Sequence, residues 1–553
     1  MSPCLRHVLL AALLTYPALS QTVAEKPPDP ALTSKPADPL NDASHLLRSG
    51  KFDAALQAYQ RILQQQPKSG DAYVGVIRSY LKLGKLDEAQ QTLTKAKDAG
   101  VSSSLQVAEG EVDFRQGKIA DAEKLWANVI NGGNAEPRAY LGIARVRRAI
   151  GMHRTAKGMI DRAHALDPHD PDIQRFWIST LKREARIKYL ELYLAGVNDE
   201  DAEGHADTQS YIDYLKAREK EPDRRCHLAS KVTATETPLV ALLLDPQHLR
   251  SYALTVALND HKTKLVLDTG ASGLLVDRRV AEKAGITKIS DSKVGGVGDK
   301  GNVDSYIGYA DSIKIGELEF RDCTVEVLKK RSVLGDDGLI GADVFEDFLV
   351  DIDFPNQKLK LTPLPRPPNA PAPKMSLQTD SGESATHNES NQANASANDK
   401  PSSPDLEFQD RYISPEMKTY SPVFRFGHEL LVPTKIGGTI MKLFLLDTGA
   451  FNNAISPAAA REVTKVHGDS DTIIEGLSGS VKTVYSADKL TLEFGHLKQA
   501  NEDMTSWDLT KLSEDDGTEI SGFLGFVMLH MLDIKIDYRD DLVDFKFDAE
   551  RYR

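Results

Sequence analysis

One short pattern occurs twice in this chain. Leu265-Val-Leu-Asp268-Thr-Gly-Ala-Ser recurs as Phe444-Leu-Leu-Asp447-Thr-Gly-Ala-Phe. Each copy is an apolar run ending on Asp-Thr-Gly-Ala, which reads as a buried strand that delivers a carboxylate. One such strand constrains little, since Asp and Gly are common turn residues. Two on one polypeptide predict two carboxylates meeting in one site. Carboxyls about 3 Å apart cannot both ionise easily, so they share one proton. The ionised member can take a proton from a water, while the protonated member hydrogen-bonds a carbonyl oxygen. Asp268 and Asp447 are therefore the candidate catalytic pair. Thr269 and Thr448 offer hydroxyls that can bond across to the partner loop. Gly270 and Gly449 allow the tight turn, and Ala271 and Ala450 are small enough to pack beside the carboxylates.

The flanks repeat as well. Upstream, Tyr252 to Leu258 turns through Asn259-Asp260 into Lys264 to Leu267, and Leu430 to Ile436 turns through Gly437-Gly438 into Ile440 to Leu446. Both are acceptable tight-turn pairs between strands. Downstream lie Gly-rich segments, Val294-Gly-Gly-Val-Gly298 and Glu475-Gly-Leu-Ser-Gly479. Further on, an apolar pair precedes a Gly in Asp337-Gly-Leu-Ile-Gly341 and in Ser521-Gly-Phe-Leu-Gly525. The Asp-to-Asp offset is 179 residues and the Gly341-to-Gly525 offset is 184, so order and spacing are kept.

This arrangement resembles the retropepsin-like aspartic proteases over roughly residues 235 to 365 and 415 to 553. The resemblance implies that Asp268 and Asp447 are the catalytic pair. It makes Gly295, Gly296 and Gly298, with Gly476 and Gly479, the tips of flaps over a substrate. The apolar-apolar-Gly motifs then support the active-site loops. Both halves stand in one chain, as in the pepsin arrangement. The second copy departs from the family pattern at Phe451, where a Ser or Asp is usual and where Phe cannot hydrogen-bond.

A second periodicity precedes these lobes. Gly50-Lys-Phe-Asp-Ala-Ala, Gly84-Lys-Leu-Asp-Glu-Ala, Gly117-Lys-Ile-Ala-Asp-Ala and Gly151-Met-His-Arg-Thr-Ala recur at spacings of 34, 33 and 34. That is the tetratricopeptide period, and it resembles that repeat at other positions too, with Tyr59, Leu93, Trp126 and Ile160 at the large apolar site. Such repeats are expected to stack on themselves with a core of their own, and to be dispensable for cleaving a short peptide.

The fold class expected is multidomain α + β: an N-terminal tetratricopeptide α-solenoid, then two all-β retropepsin-like lobes forming a pepsin-like pseudo-dimer. The expected division is a signal peptide at 1–20, a linker at 21–40 and repeats at 41–170. A helical cap and connector at 171–230 leads to lobe 1 at 231–365, a disordered linker at 366–410 and lobe 2 at 411–553. At the N-terminus, Arg6 and His7 precede an apolar run from Val8 to Leu14, and Ala18-Leu19-Ser20 offers small residues for cleavage, so export to a periplasm or the exterior is expected. That run is too short to span a bilayer, so no stable membrane span is expected.

The net charge of -13 argues against nucleic acid as a partner, because phosphate binding wants a basic surface. Of three cysteines, Cys4 leaves with the signal, and Cys226 and Cys323 fit either a disulfide or two buried thiols. No metal-ligand spacing, serine-hydrolase elbow or phosphate loop is present, so no metal and no cofactor is expected. The reading is an aspartic endopeptidase, monomeric, acting on a protein or peptide, with a protein partner on the concave face of the repeats. Two rivals use the same residues: an inactive binding scaffold of the same fold, and a homodimeric protease with separate sites.

Overall fold

The computed structural model describes residues 38–102, 104–196, 202–220, 224–298, 301–329, 337–368, 375–379, 410–469 and 472–551. The expected signal at 1–20 and most of the expected linkers at 21–40 and 366–410 lie outside those residues. Among the described residues no helix is long and apolar enough to cross a membrane.

Antiparallel helix pairs build the N-terminal part, beginning Pro39–Arg48 with Phe52–Gln65 and Gly70–Lys82 with Leu86–Asp98. The repeated Gly has a physical reason: Gly50, Gly84, Gly117 and Gly151 all sit at positive φ, 69° to 85°, between the helices of a pair. The repeated Ala closes each pair, since Ala55, Ala89, Ala122 and Ala156 are almost fully buried. Trp126 fills the space left by Gly110 and Gly142, where an added Cβ would fall 2.5 Å and 2.3 Å from its ring.

The remainder is β-rich. In lobe 1 the strand His261–Asp268 pairs antiparallel with His248–Leu258 and parallel with Gly338–Gly341, which sets Gly341 beside Asp268. In lobe 2 Ile440–Leu446 pairs in the same way with Glu429–Ile436 and with Gly522–Leu524. Each apolar-apolar-Gly motif is thus a short strand running alongside the strand that carries the Asp. The lobes join through one sheet: Phe348–Asp353 of lobe 1 pairs antiparallel with Leu532–Asp537 of lobe 2, Val350 opposite Ile536. A continuous hydrophobic core runs from Leu254 and Phe345 across to Ile534 and Phe545. The two halves are therefore joined within one polypeptide.

Two features differ from expectation, and one open alternative is decided. The repeats do not keep their core to themselves. Phe114, Trp126 and Ile143 share a buried cluster with Leu431, Leu443, Leu445 and Phe523 of lobe 2. Gly84, Gly117 and Gly151 make the same edge, since an added Cβ would meet Glu514, Leu443 and the Arg539 carbonyl respectively. Thr518 Oγ1 also donates to the Phe114 carbonyl at 2.7 Å. Second, the expected linker 366–410 is not free of the lobes throughout. Met375 and Leu377 are buried in the lobe 1 core, and Gln378 N–H donates to the Val344 carbonyl. Of the two alternatives for Cys226 and Cys323, the structure has the disulfide.

Candidate active site

The two Asp-Thr-Gly turns face each other and lock together. Thr269 N–H donates to Thr448 Oγ1 at 3.0 Å, and Thr448 N–H donates to Thr269 Oγ1 at 3.0 Å. Each hydroxyl then donates to a carbonyl beneath the opposite turn, Thr269 to Leu446 at 2.7 Å and Thr448 to Leu267 at 2.9 Å. Both threonines are 1% exposed, so no water competes for these bonds.

Gly270 and Gly449 are required by close approach rather than by a left-handed turn, since neither has positive φ. A Cβ on Gly270 would lie 2.7 Å from Asp447 Cγ, and one on Gly449 would lie 2.2 Å from Asp268 Oδ2. Each glycine thus makes room for the opposite carboxyl. The carboxyls also hydrogen-bond one another, which needs a proton on one of them. Asp268 accepts Gly270 N–H at 2.9 Å, while Asp447 accepts both Gly449 N–H at 2.8 Å and Ala450 N–H at 2.9 Å. Gly449 N–H also serves Asp268, so each carboxyl has two backbone donors that favour its charged form, and the donors alone do not separate the pair. Burial, then the charge of Asp447, holds Asp268 well above the usual carboxylate range. Burial raises Asp447 as well, against its two N–H donors. Ala271 turns its carbonyl toward Gly341, where an added Cβ would come within 2.4 Å of that oxygen.

The Gly-rich segments end two hairpins, Thr287–Val294 with Val303–Ile315 and Ile474–Gly476 with Gly479–Val481. Their tips meet. Ser478 N–H donates to the Val297 carbonyl at 3.0 Å. Side chains at Gly296, Gly298 or Gly476 would collide with the opposite tip, at 2.7, 2.3 and 2.3 Å. Gly295 has only Asn302 Oδ1 near, at 3.2 Å, and Gly479 sits at φ 103°.

Several neighbours of this site were not legible in the sequence. His428 Nε2 donates to the Gly270 carbonyl at 3.2 Å, so lobe 2 holds the lobe 1 turn from the side. Burial pushes His428 down to about 4, which keeps its imidazole neutral. Glu429, next to it, is driven up to about 10 by burial and a shared hydrogen bond with Asp516. Asp343 accepts Gly273 N–H at 3.0 Å and is pushed up to about 7 by burial. Its place two residues after Gly341, in the turn Ala342–Phe345 that follows the strand beside Asp268, is the signal that could have found it. His428 belongs to no repeated motif, and nothing in its spacing marks it.

Residues 254–344 match the family described as Aspartyl protease, and residues 46–107 match the family described as Tetratricopeptide repeat. The chain is 31% identical over 110 residues to UBA domain-containing protein Mud1 of Schizosaccharomyces pombe, covering 20% of this chain and 32% of that protein. It is 31% identical over 108 residues to DNA damage-inducible protein 1 of Chaetomium globosum, covering 19% of this chain and 23% of that protein. It thus spans a third or less of the length of these relatives. The crystal structure of an aspartic proteinase from Irpex lacteus aligns over 57% of this chain and 98% of its own, at 14% identity and a TM-score of 0.32. With the repeat model at its N-terminal end and the protease model over lobe 1, this chain carries tetratricopeptide repeats and an aspartyl protease domain.

Proposed function

We propose that the chain is an aspartic endopeptidase whose catalytic dyad is Asp268 and Asp447. The reciprocal Thr269–Thr448 network carries this reading, because it locks the two turns so that each carboxyl lies against the glycine of the opposite turn. Asp268 keeps the shared proton. Asp447 is the ionised member, since burial and the neighbouring carboxylate hold Asp268 the further above the usual range. Asp447 takes a proton from a water as the water oxygen attacks the scissile carbonyl carbon, and Asp268 donates its proton to the carbonyl oxygen. The intermediate is a neutral gem-diol. Its collapse transfers a proton to the amine nitrogen and breaks the C–N bond, with no covalent enzyme intermediate. Supply of both lobes by one chain supports a monomer over the homodimeric rival.

The repeats would recruit a protein partner or substrate. Their concave face holds a cavity of about 610 Å³, lined by Arg78, Lys82, Glu111, Arg115, Arg138 and Asp172. Arg138 there bonds Glu111, Asp170 and Asp172 at 2.6 to 2.8 Å, which stiffens the floor for a polar chain. The Cys226–Cys323 disulfide supports export to an oxidising compartment.

Incubation of the purified chain with a denatured protein mixture tests the reading. New internal cleavages are expected, and Asp268→Asn abolishes them. Identical fragments from both forms would favour the inactive scaffold.

A further inference from the structure

Five basic residues stand at two repeated places in the helical repeats. Arg48, Lys82 and Arg115 each lie two residues before the turn glycine of their repeat, and Arg78 and Arg145 each lie six before theirs. All five line the cavity of about 610 Å³. Three of them have acids. Arg48 bonds Asp167 at 2.7 and 3.0 Å, Arg78 donates to Glu111 at 3.1 Å and Lys82 donates to Asp172 at 2.5 Å. Arg115 and Arg145 have none, since among the described residues neither makes a hydrogen bond or an ion pair.

Both are partly buried. They also repel one another: burial, and then the Arg145 charge, lowers the Arg115 guanidinium from its usual value. Two of the acids nearest Arg115 are already engaged. Glu111 accepts from Arg78 and Arg138, and Asp172 accepts from Lys82 and Arg138. The third, Glu514 of lobe 2, is exposed. Seven basic and five acidic side chains line the cavity, in a chain whose net charge is -13. A charge withdrawn from water without a partner costs stability, so two of like sign at one place mark a position for a counter-charge.

The size of that counter-charge follows from how the solenoid closes. Arg48–Asp167 joins the first repeat to the end of the fourth, 119 residues on, and Lys82–Asp172 joins the second to the helix Pro171–Ser179. These pairs tie the two ends of the solenoid across its hollow side. An extended peptide lying along the repeats would have to part them, whereas a small molecule need not, and the volume is that of a small-molecule pocket. Guanidinium groups take oxyanions through paired N–H donors.

We propose that the chamber inside the repeats binds a small free oxyanion, a compound carrying carboxylate or phosphate, and that Arg115 and Arg145 hold it. The site is separate from the dyad and does not depend on the endopeptidase reading.

Isothermal titration calorimetry of the full chain tests this. Inorganic phosphate and succinate are the probes, with sodium chloride matched for ionic strength and a short acidic peptide titrated in parallel. Saturable binding of one phosphate or one succinate per chain is expected, and whichever binds the tighter tells phosphate chemistry from carboxylate. Arg115→Gln and Arg145→Gln should each weaken binding about tenfold or more, the loss of one charge-assisted contact. Without ligand, neither substitution should lower the melting temperature, because each removes a charge that has no partner. Should a variant fail to fold, the unaltered chain is treated with phenylglyoxal instead, and the bound anion should protect Arg115 and Arg145 from modification as read by mass spectrometry. Heats that do not saturate, equal affinity in both folded variants, or no protection overturns the proposal. Binding of the acidic peptide alone overturns it too, and would make the chamber part of a peptide seat.

Discussion

The strand ending on Asp268 and the strand ending on Asp447 share an inner face and differ on the outer one. Inward, Leu265 and Leu267 match Phe444 and Leu446, and all four lie in the core that spans both lobes. Outward, four residues before the Asp, lobe 1 has the exposed Lys264 and lobe 2 has Leu443, which is 3% exposed beneath the repeats. What two facing carboxyls need has been kept in both copies. What each lobe docks against has not. The same division separates Ser272 and Asp343 from Phe451 and Val527. The inner chemistry is symmetric, and the asymmetry lies in what surrounds it.

The hardest test of that symmetry is the dyad itself. Asp268→Asn and Asp447→Asn should each remove turnover by a factor of at least about 100, the ordinary contribution of a positioned acid or base. Steady-state kinetics on one peptide decides it. Half the activity surviving in either variant would mean two independent sites, and the mirrored loops would then serve separate centres.

The asymmetry breaks next. Leu443→Ala removes a buried side chain from the cluster shared with the repeats and should cost about 2–5 kcal/mol. Lys264→Ala, at the matching exposed position in lobe 1, should cost under about 0.5 kcal/mol. Urea unfolding of both variants checks the contrast. Deletion of residues 41–170 bares the same apolar face, so peptide cleavage should fall with it, contrary to what the repeat pattern alone suggests. A truncated chain with full peptide turnover would show that the shared cluster does not support lobe 2.

The reach of the sequence follows from how local each cause is. The Asp-Thr-Gly loops, flap glycines and turn glycines were legible because each is fixed by contacts made within one motif or between two copies of it. Docking of the repeats was written only in one contrast, Lys264 against Leu443, and Phe114 and Trp126 read equally well as the repeats' own core. Met375 and Leu377 were hidden by the Pro- and Ser-rich composition around them, although both are buried. His428 acts across 158 residues of sequence on a single carbonyl, and such a contact leaves no periodic trace.

A pH test separates the lobes further, because Asp343 has Val527 as its counterpart. Burial raises the Asp343 carboxyl from 3.8 to about 7. Between those values the unfolded chain has released this proton and the folded chain still holds it. Stability from this group is therefore fully present below about pH 4 and lost as pH rises toward 7. Asp343→Asn should flatten the pH dependence of stability over that window, by on the order of 2–4 kcal/mol across it. Melting temperatures of both forms from pH 4 to 8 read the slope. An unchanged slope would assign it to other buried carboxyls.

The smallest effect probes the link between the lobes. Thr269→Val and Thr448→Val keep side-chain shape and remove only the hydroxyl. Thr269→Val takes away the donor to the Leu446 carbonyl and the acceptor of Thr448 N–H. Thr448→Val takes away the donor to the Leu267 carbonyl and the acceptor of Thr269 N–H. Each variant therefore leaves one buried carbonyl and one buried N–H unmet, at about 1–3 kcal/mol. Because the losses mirror each other, the two costs should agree within about 0.5 kcal/mol, although lobe 2 alone is backed by the repeats. Urea unfolding at one pH measures both. A distinctly smaller cost for Thr448→Val would mean that the repeats, rather than the partner turn, hold the lobe 2 loop in place.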